Sequence, residues 1–539
     1  MAAENHPRNP ISHTAEHVVI DSSSKHHHGL GFWPPPSSDE RDPLRWPRWV
    51  KVLALLSTAF FNFVANFAGA GLSVATVLLE HEFQKSAQRV NSLLTFNFLL
   101  LGAGNIIWVP LSVKFGQRPI MLISTTVLFA ILIWTAKAET FTELLVARCL
   151  SGFFSAAGES ILPGIVSNIF FLHERGAMMS IYVMLISSGS AVGPLIGGFM
   201  VQSSPGTWRD FVWLCAALAG FNLLAIFFLY PESSFIRPPL PPDLPSPIPK
   251  GVANVSKEDA GGTSHIVEDC SQPIYKTYHE DWVVTVSYPR VWTSFFRINR
   301  MVKLPRAFAI PVVFLLSPPV LWTTFVYGCS LACQVIMIFA FPSLLLAPPY
   351  LFASSSVGLM QIAAIIGFAI ACYGGGYICD VITARLIIRN RGVFVPEQRL
   401  ISLLPGCFIA PAGCILLAFS CQNKLHWIAI AFGFGMVSFG TVYAPNIAMT
   451  YLLDCYPAFA REILVAVNVI KNLVAFLFLY VAVDWVNSQG WVQVYMIMFM
   501  VVTLAMLLAI PLYYFGDNAR TAFEKIIVPV IGPLDDAPN

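Results

Sequence analysis

The chain has 539 residues, 56% of them hydrophobic and only 12% charged. Soluble domains carry about a quarter charged residues, so this composition excludes that class and points to a polytopic membrane protein. A net charge of +2 gives no reason to expect nucleic acid, and an odd number of cysteines with no Cys-x-x-Cys pair argues against a disulfide framework or a zinc site.

Residues 1–48 are mostly polar, with Lys25-His26-His27-His28 and Pro34-Pro35-Pro36, and read as a disordered cytoplasmic tail. Six stretches of about 20 apolar residues follow, centred near Phe61, Leu101, Leu128, Phe154, Ile186 and Leu223. They make a first bundle over 49–230. Residues 231–306, opening on Pro231-Glu232-Ser233 and rich in proline, read as a cytoplasmic linker. Six more spans, centred near Phe325, Ile366, Gly413, Gly435, Ala475 and Thr503, make a second bundle over 307–515, and 516–539 is a short cytoplasmic tail. The expected fold is an all-α membrane protein of twelve spans in two pseudo-repeated six-helix bundles. That is the layout of transporters that alternate access about a midplane site.

Orientation follows from the basic residues. With a cytoplasmic N-terminus, Arg41, Arg45, Arg48, Lys51, Lys114, Arg118, Arg175, Arg385, Arg389, Arg391, Arg399 and Arg461 all fall inside. The outer loops keep Lys85, Arg89, Lys137, Arg209 and Lys424.

Within the fifth span, Gly189, Gly193 and Gly197 recur every fourth residue on one face, which lets a neighbouring backbone approach closely. Pro194 removes one intrahelical hydrogen bond and marks a kink, and Gly198 extends the small surface.

Few ionisable groups sit deep in the spans, and each is costly there unless it faces a cavity or a partner. Glu159 and Arg148 lie nearly three turns apart on the fourth span and project from one face. Burial favours a neutral carboxyl and a nearby cation a charged one, so Glu159 can serve as a proton carrier or as a hydrogen-bonded helix anchor. Arg148 keeps its charge, to bias Glu159, hold an anion or anchor two helices. On the eleventh span Lys471, with Asn468 and Asn472, forms a polar stripe suited to a substrate anion or satisfied by helix carbonyls. Asn62 and Asn66, one turn apart on the first span, either line a pore or bond across helices. Trp322, Tyr327, Tyr373 and Tyr443 fall within second-half spans, and a cavity lined this way would suit an amphipathic organic molecule. No Gly-x-x-x-x-Gly-Lys-Ser/Thr loop occurs, so ATP is not the direct energy source. No catalytic constellation, metal site or cofactor site is read.

Several loops carry recognisable patterns. Asp42-Pro43-Leu44-Arg45-Trp46-Pro47 precedes the first span, and Lys114-Phe115-Gly116-Gln117-Arg118 joins the second to the third. Arg148 with Gly152, His173-Glu174-Arg175-Gly176, Trp208-Arg209, Gly376-x-x-x-Asp380, Pro396-Glu397-Gln398-Arg399-Leu400 and His426-Trp427 follow in order. In this order they resemble the major facilitator superfamily, and within it the fungal drug:proton antiporter branch with twelve spans. Gly189 to Gly198 resembles that branch's antiporter motif, and Lys114, Gly116, Arg118, Gly376 and Asp380 match its loop gating motifs. Val113 stands where the first-half loop usually has aspartate.

The resemblance implies a proton-coupled exporter of a secondary metabolite, toxin or xenobiotic, with Glu159 and Arg148 in the coupling apparatus. Asn62, Asn66, Tyr327, Tyr443, Lys471 and Asn472 are the candidate substrate contacts. The alternative is a symporter or facilitator importing a polyamine, carboxylate or sugar. Expected partners are a small-molecule substrate, protons and the bilayer, for a monomer in the plasma membrane or, alternatively, the vacuolar membrane.

Overall fold

The computed structural model describes residues 16–17, 39, 42–203, 208–235, 304–389, 393–456 and 459–531. Among them are twelve helices long and apolar enough to cross a membrane. The first half holds α1 (Arg48–Phe83), α2 (Ala87–Phe115), α3 (Gln117–Lys137), α4 (Phe141–Ile169), α5 (Glu174–Gln202) and α6 (Trp208–Leu229). The second holds α7 (Pro318–Ile338), α8 (Ser354–Thr383), α9 (Pro396–Gln422), α10 (Trp427–Cys455), α11 (Ala460–Ala482) and α12 (Asp484–Phe523). Lipid offers the backbone no hydrogen-bond partner, so each apolar stretch closes its own bonds as a helix. The helical tract that holds α11 and the start of α12 is kinked within α12 at Gly490, whose φ of +80° suits a residue without a Cβ. Inside α8, Gly374–Ile378 forms a π-helical turn. A short strand β1 (Glu16–His17) pairs antiparallel with β2 (Val393–Phe394). The rest of the expected tail up to Asp42, apart from residue 39, and most of the expected linker lie outside the described residues.

Each half has its own apolar core. Phe61, Phe67, Leu128, Ile161, Trp208 and Phe211 fill the first; Ile336, Phe368, Phe434, Tyr451, Tyr495 and Met498 fill the second. In the first half α2 packs on α4, α1 on α5 and α3 on α6; in the second α8 and α9 pack on α10, and α7 lies against the tract holding α11 and α12. The periphery is apolar too: Phe221 is 64% exposed and Phe408 73%, as a lipid-facing surface requires.

The inner ends, defined by the basic-residue distribution, are tied down by polar contacts. Asp42 accepts the Leu44 N–H at 3.0 Å, and Lys51 Nζ donates to the Leu44 carbonyl at 2.9 Å while lying 4.9 Å from the Phe171 ring centre. Beyond residue 515 the helix continues to Ile531, held by Arg520 at 2.9 Å from Glu397.

Glu232 has a defined task. Its carboxylate accepts the backbone N–H groups of Gln117 at 3.1 Å and Arg118 at 3.0 Å, and that of Ser234 at 2.8 Å. Gln117 and Arg118 open α3, where backbone donors have no intrahelical acceptor and the helix dipole favours an anion. Gly116, at φ +99°, makes the turn that brings this helix start to the carboxylate. Glu232→Ala removes the cap, with an expected loss of about 1–2 kcal/mol and a lower midpoint of thermal unfolding in detergent.

The halves meet near both faces. Towards the outside, Gly198 lies against the Ser354 carbonyl and Gly358 against those of Pro194 and Leu195, and Gln202 accepts the Ser355 N–H at 3.2 Å. Towards the inside, Asn446 Nδ2 donates to Ser180 Oγ at 3.1 Å, beside Gly376.

Candidate functional site

Between these two zones a buried carboxylate joins the halves. Glu159 on α4 forms an ion pair with Lys471 on α11, and the two side chains are 11% and 3% exposed. The second carboxylate oxygen accepts from Asn472 Nδ2 at 3.0 Å and from Asn105 Nδ2, on α2, at 3.3 Å. Ser160 Oγ donates to Asn105 Oδ1 and fixes that amide's orientation. Tyr182 of α5 donates to the Glu159 backbone carbonyl at 2.9 Å. Tyr327 of α7 places its ring face 4.1 Å from the Lys471 ammonium, a cation–π contact in a desolvated setting.

The site is thus assembled from α2, α4 and α5 of one half and α7 and α11 of the other. The paired charges are neutral together, which is what makes their burial tolerable; either one alone would be a strongly unfavourable buried ion. Adding a proton to Glu159 therefore does two things: it removes the anion that holds Lys471, and it weakens a charged link across the halves.

Five buried amide atoms are without a hydrogen-bond partner among the described residues: Gln361 Oε1 and Gln398 Oε1, which lie on α8 and α9, and Asn62 Nδ2, Gln334 Nε2 and Asn472 Oδ1. Asn472 is in the Glu159 cluster, Asn62 lies beside Gly158 next to Glu159, and Gln334 is two turns along α7 from Tyr327. The unpartnered atoms of Asn472 and Asn62, in and beside the cluster, are free to take up a ligand's polar groups, while Gln334 is held by Ser438 at 2.9 Å.

The other expected site residues are placed elsewhere. Arg148 does not reach Glu159; its guanidinium donates to the Ala68 and Gly69 carbonyls of α1 at 3.0 and 2.7 Å. Eleven residues of helix set the two groups about 16 Å apart, so a shared face brings them into line but not into contact. Asn66 donates to the Asn62 carbonyl at 2.9 Å. Tyr443 is away from the cluster, its hydroxyl donating to the Ser402 carbonyl at 2.7 Å, and Tyr373 is 62% exposed on the outer surface of α8. Trp322 donates to the Ala505 carbonyl at 3.0 Å.

The glycine face of α5 lies directly on α1. A Cβ at Gly189 would sit 2.5 Å from the Phe63 carbonyl oxygen, and one at Gly193 2.4 Å from that of Phe67; at Gly197 the Gly71 oxygen would be 2.8 Å away. The backbones touch through three successive turns. Gly193→Ala is expected to force the helices apart, costing about 1–3 kcal/mol and reducing transport velocity in proteoliposomes.

Among the loop residues, Arg118 donates to the Phe227 carbonyl at 2.9 Å, and Lys114 lies 5.9 Å from the Phe115 ring centre. Asp380 abuts Gly176 at the inner end of α5 and is bound at 3.1 Å by Arg399, which also pairs with Asp454 of α10. The sequence reading missed Asn105, Tyr182 and Asp454. Asn105 and Asp454 carried a usable signal, since each interrupts an apolar run; Tyr182 carried none, because aromatic residues are common throughout.

Comparisons with known proteins agree with this architecture. Residues 55–479 match the family model described as Major Facilitator Superfamily. The chain is 26% identical over 537 residues to an uncharacterized MFS-type transporter of Schizosaccharomyces pombe, covering 94% of this chain and 90% of that one. It is 24% identical over 538 residues to Protein HOL1 of Saccharomyces cerevisiae (91% and 90% covered), and 25% identical over 481 residues to the MFS transporter cpaT of Aspergillus oryzae (87% of each). The crystal structure of the human organic anion transporter MFSD10 superposes with a TM-score of 0.52 at 14% identity, covering 86% of this chain and all of that one. With its family model matched across both bundles, this multi-pass membrane protein belongs to the Major Facilitator Superfamily.

Proposed function

We propose that the protein is a proton-coupled exporter of a small organic compound, a secondary metabolite, toxin or xenobiotic, working by alternating access. The observation that carries this reading is the Glu159 carboxylate, held at once by Lys471 and Asn472 of one half and Asn105 of the other. A proton on Glu159 and a cationic or hydrogen-bonding substrate group compete for the same oxygens, so one leaves as the other arrives. An inward proton gradient then drives the compound out. Arg148 acts at a distance in this scheme, by fixing α4 to α1. The antiporter-like glycine face keeps α5 and α1 moving as one body. The plasma membrane is the proposed location, with the vacuolar membrane as the alternative, and the protein is proposed to work as a monomer.

A second reading rests on Lys471. Protonating Glu159 frees an ammonium in the same site, and a carboxylate substrate then binds with the proton rather than against it. That cycle is import by symport.

Sealed proteoliposomes with an internal pH dye separate the two. A panel of amphipathic metabolites, organic acids and polyamines is added on one side, and compound and proton movement are followed together. Opposite movement supports export by antiport, and movement in the same direction supports symport. A compound transported with no proton movement overturns both.

A further inference from the structure

A cavity of about 510 Å³ opens on the side of the second half, between α8 and α9 and closed at its back by α10. Its walls are apolar, with Ile370, Ile378 and Ile382 on α8, Leu404 and Pro405 on α9, and Tyr443 at the back. It faces outward: Ile370 is 59% exposed and Leu404 57%, beside the half-exposed Ile378. It lies towards the inner side, since Leu404 and Pro405 are in the early turns of α9 and Ile382 in the last turns of α8. The π-helical turn Gly374–Ile378 forms part of one wall, and glycine at 374 leaves the space beside the Tyr443 ring open.

The α8 wall continues into charge. The helix that begins at Cys379 runs to Arg389, and at 100° per residue Ile378, Ile382, Arg385 and Arg389 fall within about 60° of one another. Arg385 lies about 4.5 Å and Arg389 about 10 Å further along the axis than Ile382, at the helix's inner end. Both are exposed, and among the described residues neither has a carboxylate partner. An outward-facing apolar slot thus leads down one helix face to two guanidinium groups at the inner end of the helix, without a carboxylate partner among the described residues.

We propose that this groove is a binding site for a phospholipid with an anionic headgroup. One acyl chain occupies the slot between α8 and α9, and the phosphate is held by Arg385 and Arg389. The dimensions suit a single chain, the walls offer almost nothing polar, and guanidinium matches phosphate in geometry as well as charge. The site is separate from the Glu159 cluster and does not depend on the direction of transport.

The test uses the full chain in phosphatidylcholine liposomes with a trace of phosphatidylserine carrying a diazirine on its acyl chain. After photolysis, labelled peptides are identified by mass spectrometry. The expected label falls on peptides containing Ile378, Ile382 and Leu404, and unlabelled phosphatidylserine competes for it while further phosphatidylcholine does not. Arg385→Gln and Arg389→Gln should each reduce that labelling about fivefold, the effect of one basic residue near an anionic surface. Ile382→Trp, which fills the slot, should remove it, and the two arginine variants, altered only at exposed positions, keep the test valid if that variant folds poorly. The proposal is overturned by label spread evenly over other lipid-facing helices, or by equal competition from phosphatidylcholine. It is equally overturned by labelling indifferent to loss of both arginines, including labelling displaced by a transported compound, which would make the slot a substrate portal.

Discussion

Glu159→Gln is expected to uncouple the protein. Substrate-driven proton movement in proteoliposomes should fall by about two orders of magnitude, the size associated with removing a group that transfers a proton. Exchange of a transported compound across the membrane at equal pH should persist. Glutamine has the shape of the protonated acid, and its amide oxygen still accepts from Lys471, which the Tyr327 ring also holds. The variant is therefore fixed in the protonated-like state rather than broken. Loss of both activities together would make Glu159 a structural anchor, and full retention of proton movement would remove it from the mechanism.

Lys471→Ala is expected to be the more damaging single change. It strands the Glu159 carboxylate in a buried site, held among the described residues by the Asn105 and Asn472 amides. Breaking a buried pair from one side costs about 3–5 kcal/mol, read as a fall in the thermal unfolding midpoint in detergent at neutral pH. Combining Lys471→Met with Glu159→Gln removes both charges and should recover most of that loss, because a neutral pair of similar volume needs no compensation. A double variant as unstable as Lys471→Ala alone would show that the stranded charge is not what makes the single change costly. The double variant should stay inactive in proton-coupled transport, which separates folding from coupling.

Much of the fold was open to the sequence because membrane helices obey a length rule. Twelve apolar stretches, a proline-rich break and the basic inner loops sufficed for two bundles. The acid at the centre was legible for the same reason, since a charge within an apolar run stands out. Its partner was not. Helix periodicity put Arg148 and Glu159 on one face, but 16 Å of rise separates them, and the ammonium that meets Glu159 comes from a residue 312 positions further on. Periodicity tells which side of a helix a residue occupies, not which helix waits there. Tyr443 shows the same limit. An aromatic residue in a span reads equally well as cavity lining or as packing, and here it closes the back of a groove on the lipid side.

The charged contact at the inner ends is lopsided. Asp380 of the second half rests against the start of α5, where the helix dipole attracts an anion, while the matching place in the first half is Val113. Two seams that look alike in outline are held by unlike forces. On opening towards the cytosol the seam with Val113 at the position matching Asp380 should yield first and the other act as the hinge, so the motion would be a swing and not an even parting. Spin labels at the inner ends of α2 and α11 would then separate at an earlier stage of the cycle than a pair on α5 and α8. In Asp380→Asn the two pairs should separate together.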